Sequence, residues 1–160
     1  MTTPATPPIS MADVRAEFGG TVGVTKLSDY VRGGSFVPNI TGNSGVPTAV
    51  PITLSQLCNA SKAPSASASP TSVSGTGVAP ATVTSGSTTC TASGGFAGYT
   101  YSWTFVSGTA LTVNTATSAS TTFSHHFVTT GTVTAVYKCV ITDSKGNTAS
   151  SNNVSVSLDA

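Results

Sequence analysis

His125 and His126 stand side by side, and with Cys58, Cys90, Cys139 and five carboxylates they are the side chains here that could bind a metal or drive acid–base chemistry. A metal site needs ligands that converge on one point. Neighbouring residues of a strand point to opposite faces, so the two histidines cannot chelate one ion from a regular strand. No cysteine or carboxylate lies near them at the spacing zinc sites use. A nucleophile–His–acid arrangement would need a carboxylate beside the histidines. Asp143 is the best placed, but it opens Asp143-Ser-Lys-Gly-Asn147, where turn formation explains it. The carboxylates Asp13, Glu17, Asp29, Asp143 and Asp159 form no pair suited to glycoside hydrolysis, and no phosphate loop or dinucleotide fingerprint occurs. Asn39, Asn59 and Asn153 head glycosylation sequons of the kind a Ser/Thr-rich chain produces by chance. The expectation is a non-enzymatic protein with no catalytic, cofactor-binding or metal-ligating residues and no cofactor. Cys58 reads as an ordinary buried thiol.

The elements that would hold such residues are built from an unusual palette. Only 7% of the 160 residues are charged and the net charge is +1, while Ser and Thr number 24 and 29. Nucleic-acid binding needs clustered Lys and Arg, and an anionic membrane surface needs a polybasic run; neither is present. The start, Met-Thr-Thr-Pro-Ala-Thr-Pro-Pro, has no basic and apolar export signal, and no segment nears the roughly 20 apolar residues that span a bilayer. Synthesis in a cytosol is expected, with low charge favouring association over free solubility.

Three regions differ in texture. Residues 1–60 carry apolar bursts between Gly and Pro, residues 61–78 form a Ser/Pro-rich stretch expected to be a linker, and residues 79–160 alternate apolar and hydroxyl side chains. The first region contains a repeat: Ile9-Ser-Met-Ala-Asp-Val14, Thr25-Lys-Leu-Ser-Asp-Tyr30 and Ile52-Thr-Leu-Ser-Gln-Leu57, spaced by 16 and then 27 residues. Ser10 and Thr53 are N-cap types, and Gln56 completes a capping box with Thr53. Met11, Val14 and Phe18 share one helical face before Gly19-Gly20, and Leu27 and Tyr30 share another before Gly33-Gly34. Leu54 and Leu57 complete the set. Helices this short are not stable alone in water. They must pack on one another or lie against a partner, and these seven residues are expected to be anchoring faces on an extended arm that orders on assembly.

Together with Arg-Gly-Gly and the Val-Pro-Thr-Ala-Val-Pro turn, residues 9–59 resemble a module that recurs in virion proteins of tailed bacteriophages. Cys58-Asn59-Ala60 departs from the Phe-Tyr-Gly-like ending of that module. The resemblance implies a virion structural protein made in the bacterial cytoplasm and built into the particle.

In the last region, Tyr99–Phe105 alternates aromatic and hydroxyl residues, Val133–Ile141 puts Val133, Ala135, Tyr137, Cys139 and Ile141 on one side, and Val154, Val156 and Leu158 alternate beyond a turn. Val83, Ser87–Ala92 and Ser120–Ser124 supply further strands. Cys90, Trp103, Tyr137 and Cys139 follow the order strand B Cys, strand C Trp, strand F Tyr-x-Cys. This resembles immunoglobulin-like domains of bacteria and phages, and implies that the four form a sandwich core. Cys90 and Cys139 could be two packed thiols or a bridge between the sheets. The fold expected is mainly β, an immunoglobulin-like sandwich preceded by an extended arm with short capped helices. The function expected is a tail fibre or tail-tip component that displays the sandwich for weak contact with host-surface glycans. The alternatives are a capsid decoration or collar protein, and then a bacterial surface adhesin. Expected partners are other virion proteins and further copies of the chain, as a trimer, without nucleic acid or membrane insertion.

Overall fold

The computed structural model describes residues 2–4, 8–22 and 25–160; residues 1 and 5–7, part of the stretch read for an export signal, and 23–24 lie outside the described set. The chain forms two compact units. One comprises the residues up to Pro64 with the segments Ser93–Gly98 and Asp143–Asn147, and the other the remainder.

In the first unit the repeat is a structural repeat. Helix α1 (Met11–Phe18) follows Ser10, whose backbone N–H donates to Asp13 Oδ2 at 2.7 Å while Ser10 Oγ accepts from Asp13 N at 3.2 Å. The other copies form single 3₁₀ turns, Leu27–Tyr30 and Leu54–Leu57. They repeat the first bond: Lys26 N donates to Asp29 Oδ2 and Thr53 N to Gln56 Oε1, each at 2.7 Å. The capping residue therefore holds its own turn in every copy, which satisfies an N–H that a helix start leaves orphaned. Two copies stop after one turn because Val31 and Cys58 turn extended, at ψ 144 and 135.

The sixth residue of each copy, Val14, Tyr30 or Leu57, is fully buried, and with Ile9, Phe18, Val37, Val46, Ile52 and Ala60 they form the unit's core. This corrects the reading of an extended arm with outward anchoring faces. Val14, Phe18, Tyr30 and Leu57 lie inside the unit, and Met11, Leu27 and Leu54 pack half-buried against its core. The short turns thus cover one another. The chain start also folds back, with Thr3 N donating to Ala60 O at 2.9 Å and Asn59 N to Pro4 O at 2.8 Å. Asn59 adopts φ +58, a left-handed conformation that Asn tolerates. At the first helix end, Gly19 (φ +85) offers its carbonyl to Tyr30 Oη at 2.6 Å, and a Cβ on Gly20 would strike that hydroxyl.

Much of this unit's interior is polar. Asn43 Oδ1 accepts from Ser61 N at 2.9 Å, and its Nδ2 donates to Ser61 O at 2.7 Å and Pro38 O at 3.1 Å. Buried Glu17 accepts from Lys62 N at 3.0 Å, and Ser61 Oγ donates to Gly95 O at 2.6 Å. Asn147 closes on Thr41, accepting from its N at 2.8 Å and donating to its O at 2.9 Å.

The second unit is an immunoglobulin-like sandwich of strands β1 (Ser65–Ser69), β2 (Ser72–Thr76), β3 (Ala81–Thr84), β4 (Thr88–Ser93), β5 (Thr100–Gly108), β6 (Thr112–Val113), β7 (Ser120–Thr121), β8 (Phe123–Phe127), β9 (Thr132–Thr142), β10 (Thr148–Ser150) and β11 (Val154–Asp159). One layer runs β2–β11–β9–β5, with β10 pairing the far end of β9. The other joins β1–β4–β7 to β3–β8–β6. Ser85 spans the break between β3 and β4, donating its N–H to Phe123 O at 2.8 Å and accepting Phe123 N at 2.9 Å.

Residues 65–76 are not linker, which corrects the boundary drawn at residue 79. Ala68 and Val73 are buried at alternate positions, and β2 runs parallel to β11 from Ser72↔Ser155 to Thr76↔Asp159. A strand that gains a backbone ladder needs few bulky groups, and small ones are required here: a Cβ on Gly75 would collide with the Thr84 carbonyl.

Exposed sheet margins are closed by short devices. The Asn152 amide pairs with Ala68, accepting its N–H at 2.9 Å and donating to its O at 3.1 Å. Ala116 O takes Trp103 N at 2.9 Å on the outer side of β5, and a bulge follows at Val106. Gly86 N donates to Ser74 O beside β2 at 2.9 Å. Bulges and side-chain caps of this kind discourage strand addition.

Candidate interaction surface

The four residues singled out in the sandwich meet in its core. Cys90 on β4, Trp103 on β5, and Tyr137 and Cys139 on β9 are all buried. Trp103 Nε1 donates to Ser118 O at 3.0 Å, which satisfies its one polar atom, and its ring meets Phe123 edge-on at 6.1 Å. Phe123 in turn lies 4.6 Å from Tyr137. The Tyr137 hydroxyl donates to Leu111 O at 2.9 Å and accepts Leu111 N at 2.8 Å. It pins the connection between β5 and β6, whereas the corner hydroxyl of antibody domains bonds a few residues upstream.

The two thiols are unbridged and adjoin each other. Burial pushes Cys139 up to about 12, with Cys90 beside it adding to the shift, and burial also raises Cys90. Neither is a nucleophile at neutral pH, since the thiolate is the reactive form. Cys58, expected to be buried, is partly exposed at the end of the third repeat turn.

The residues screened for chemistry are dispersed. His125 and His126 both sit on β8 and separate as strand geometry requires: His125 meets Phe127 edge-on at 4.9 Å, while His126 Nδ1 lies 3.2 Å from Thr82 Oγ1. Among the described residues no three His, Cys, Asp or Glu side chains group as metal ligands would. Asp143 is a framework residue of the first unit. Its Oδ1 accepts Lys145 N and Asn147 N, each at 2.9 Å, and its Oδ2 accepts Asn147 Nδ2 at 2.9 Å and Phe96 N at 3.1 Å. Burial alone would raise its pKa, but these bonds outweigh burial and hold it below the ordinary carboxylate value.

What remains is a surface that motif reading missed. On the layer β2–β11–β9–β5–β10 the registers put Val133, Ala135, Tyr137, Cys139 and Ile141 of β9 inward and the intervening residues outward. Outside the bulge, every outward position of these strands is Ser or Thr except Val136, Lys138, Val140 and Asp159. A hollow of about 260 Å³ lies near the middle, bordered by Ser72, Ser107, Thr134, Val136, Ser155 and Ser157. The signal was present as strict hydroxyl alternation in Ser72–Thr76 and Ser155–Ser157. It was invisible as a surface until the strand order was known, because its strands are far apart in the chain.

No known family profile matches this sequence, and no curated protein matches it. Among solved structures, a conjugative transposon lipoprotein from Bacteroides eggerthii DSM 20697 is similar at 15% identity over 58% of this chain and 95% of that one, with a TM-score of 0.32. A likeness of that size carries no functional argument. No described helix is long and apolar enough to cross a membrane.

Proposed function

We propose that this chain is a non-enzymatic structural protein of a tailed-bacteriophage virion, placed in the tail as a fibre or tip component. The observation that carries the reading is how the distinctive residues are spent. The repeat positions Ser10/Asp13, Lys26/Asp29 and Thr53/Gln56 close turns, and Cys90, Trp103, Tyr137 and Cys139 fill a core. Asp143 holds a loop. What is left for function is surface, above all a hydroxyl-rich face with one cation and one anion, suited to packing and weak adhesion. The resemblance of residues 9–59 to a virion module points the same way. The attachment of the repeat unit to other virion proteins then uses its exterior as a folded module, since its apolar faces are internal. The sandwich contacts host-surface glycans, and the assembled protein is a homo-oligomer. Capsid decoration or a collar position is the second placement.

The test is to delete the gene from the replicon that carries it and compare purified particles by mass spectrometry and adsorption to cells. Loss of one protein from the particle, with weaker adsorption, is the expected result. Particles unchanged in composition and adsorption would overturn the proposal. Retention of the protein in particles lacking tails would move it to the capsid.

A further inference from the structure

We infer that the hydroxyl face of the sandwich is a self-association surface, on which a second copy of this chain packs face to face about a two-fold axis. The occupant is specified by charge. The face carries one cation, Lys138 on β9, and one anion, Asp159 on β11. Asp159 lies opposite Thr132, so the two charges are six residues apart along the strand direction, roughly 20 Å, and one strand apart across it. A two-fold axis lying in the interface, perpendicular to the strands and level with Ala135, brings each Lys138 over the other copy's Asp159. Both pairs then form at once, as an isologous contact requires. An axis along the strands would leave both charges unmatched. Among the described residues the Asp159 carboxylate accepts the Thr132 hydroxyl on Oδ1, at 2.6 Å, which leaves Oδ2 with capacity for a cation.

The same axis organises the rest of the face. It passes beside the hollow, so Val136 of one copy meets the small-residue centre of the other, ringed by Ser107, Thr134, Ser155 and Ser157. An apolar centre, a polar ring and charges outside it form the usual anatomy of a protein interface. Side chains this short let two sheets approach closely without loss of rotamer freedom in long groups. The margins of the layer are closed by Ala116, the Val106 bulge and Gly86, which leaves the face and not the edges for contact. A patch about 20 Å square buries on the order of 1,000 Å² over both copies, the low end for specific complexes. The dimer is therefore weak in free solution and strengthened wherever copies are held close together.

Sedimentation equilibrium of the full chain at rising concentration tests this. A monomer–dimer equilibrium that weakens with salt is expected. Lys138→Glu should raise the dissociation constant at least about tenfold, because two attractions become two repulsions. Asp159→Lys should do the same, and the double variant Lys138→Glu/Asp159→Lys should restore the dimer. Trp103 fluorescence reports whether each variant is folded, and Ser157→Arg at the centre provides a second disruption, by bulk, at a site other than the Lys138–Asp159 pair. A monomer at all concentrations, a trimer, or folded single variants that associate like the parent would each overturn the proposal. Failure of the virion reading leaves this experiment intact, since it needs only the purified chain.

Discussion

The two units solve the same problem with opposite materials. The sandwich buries Trp103, Phe123, Phe127, Tyr137, Ile141 and Leu158 in one broad apolar core, and its buried polar side chains, such as Ser85 and Thr88, are hydroxyls rather than amides or carboxylates. The repeat unit buries Glu17, Asn43 and Ser61 beside a much thinner apolar core and is tied by side-chain-to-backbone bonds across long stretches of sequence. Burial of aromatic surface is non-directional and tolerates change in shape. A buried amide that serves three partners is not forgiving, because each bond lost leaves a group that water can no longer reach. The sandwich should therefore resist polar perturbation and respond to volume, and the repeat unit should do the reverse.

The largest effect expected is from Trp103→Ala, which removes the largest ring of the aromatic cluster, packed on Phe123, and the bond to Ser118. It should cost about 3–5 kcal/mol in urea denaturation followed by circular dichroism. A loss below about 1 kcal/mol would mean that the aromatic core does not hold the sandwich. Next, Asn43→Ala strands both backbone groups of Ser61 and should cost about 2–3 kcal/mol. Hydrogen exchange should show the loss around Ser61 and not in β9; uniform loosening would deny the repeat unit its separate network. Smaller still are the caps. Asp13→Ala, Asp29→Ala and Gln56→Ala should each cost about 1 kcal/mol, and near-equality among them would confirm that the three copies are mechanically equivalent.

The gentlest test is pH: the acid limb of Asp143 should belong to the repeat unit, while burial raises Tyr30 there and Cys139 in the sandwich, so both units should weaken in strong alkali. Asp143 has a depressed folded pKa, so its contribution is present above about 4 and is lost as pH falls through the folded value. Cys139 is raised, so its contribution is full below the ordinary thiol value near 9 and is lost as pH climbs toward 12. Asp143→Asn should flatten the acid limb seen in repeat-unit amides, and Cys139→Ala the alkaline limb seen by Trp103 fluorescence. An acid limb shared by both probes would contradict the division.

The sandwich was legible because period-two alternation survives in Tyr99–Phe105 and Val133–Ile141, and because Cys, Trp and Tyr are rare residues whose spacing is informative. The turns at Ser10 and Thr53 were legible from cap chemistry, which acts over three residues. The first two strands were not. Ser65–Thr76 pairs with strands encoded later in the chain, and its buried groups are only Ala68 and Val73, so composition reads as linker what register makes sheet. The inward turn of Tyr30 and Leu57 was equally hidden, since a short amphipathic turn looks the same whether its cover comes from its own chain or from another. Lys26 illustrates the limit: it is a poor cap by type, yet its backbone N–H bonds Asp29 as Ser10 bonds Asp13.

Each repeat turn is closed by a bond to a residue only three positions ahead, so none depends on the length of chain between copies. That accounts for unequal offsets of 16 and 27 residues between successive copies within one core. The longer spacer includes Thr48, Ala49 and Val50, all exposed and outside regular structure. A short peptide epitope grafted between Ala49 and Val50 would leave every capping bond intact, giving an attachment point for a label on the repeat unit.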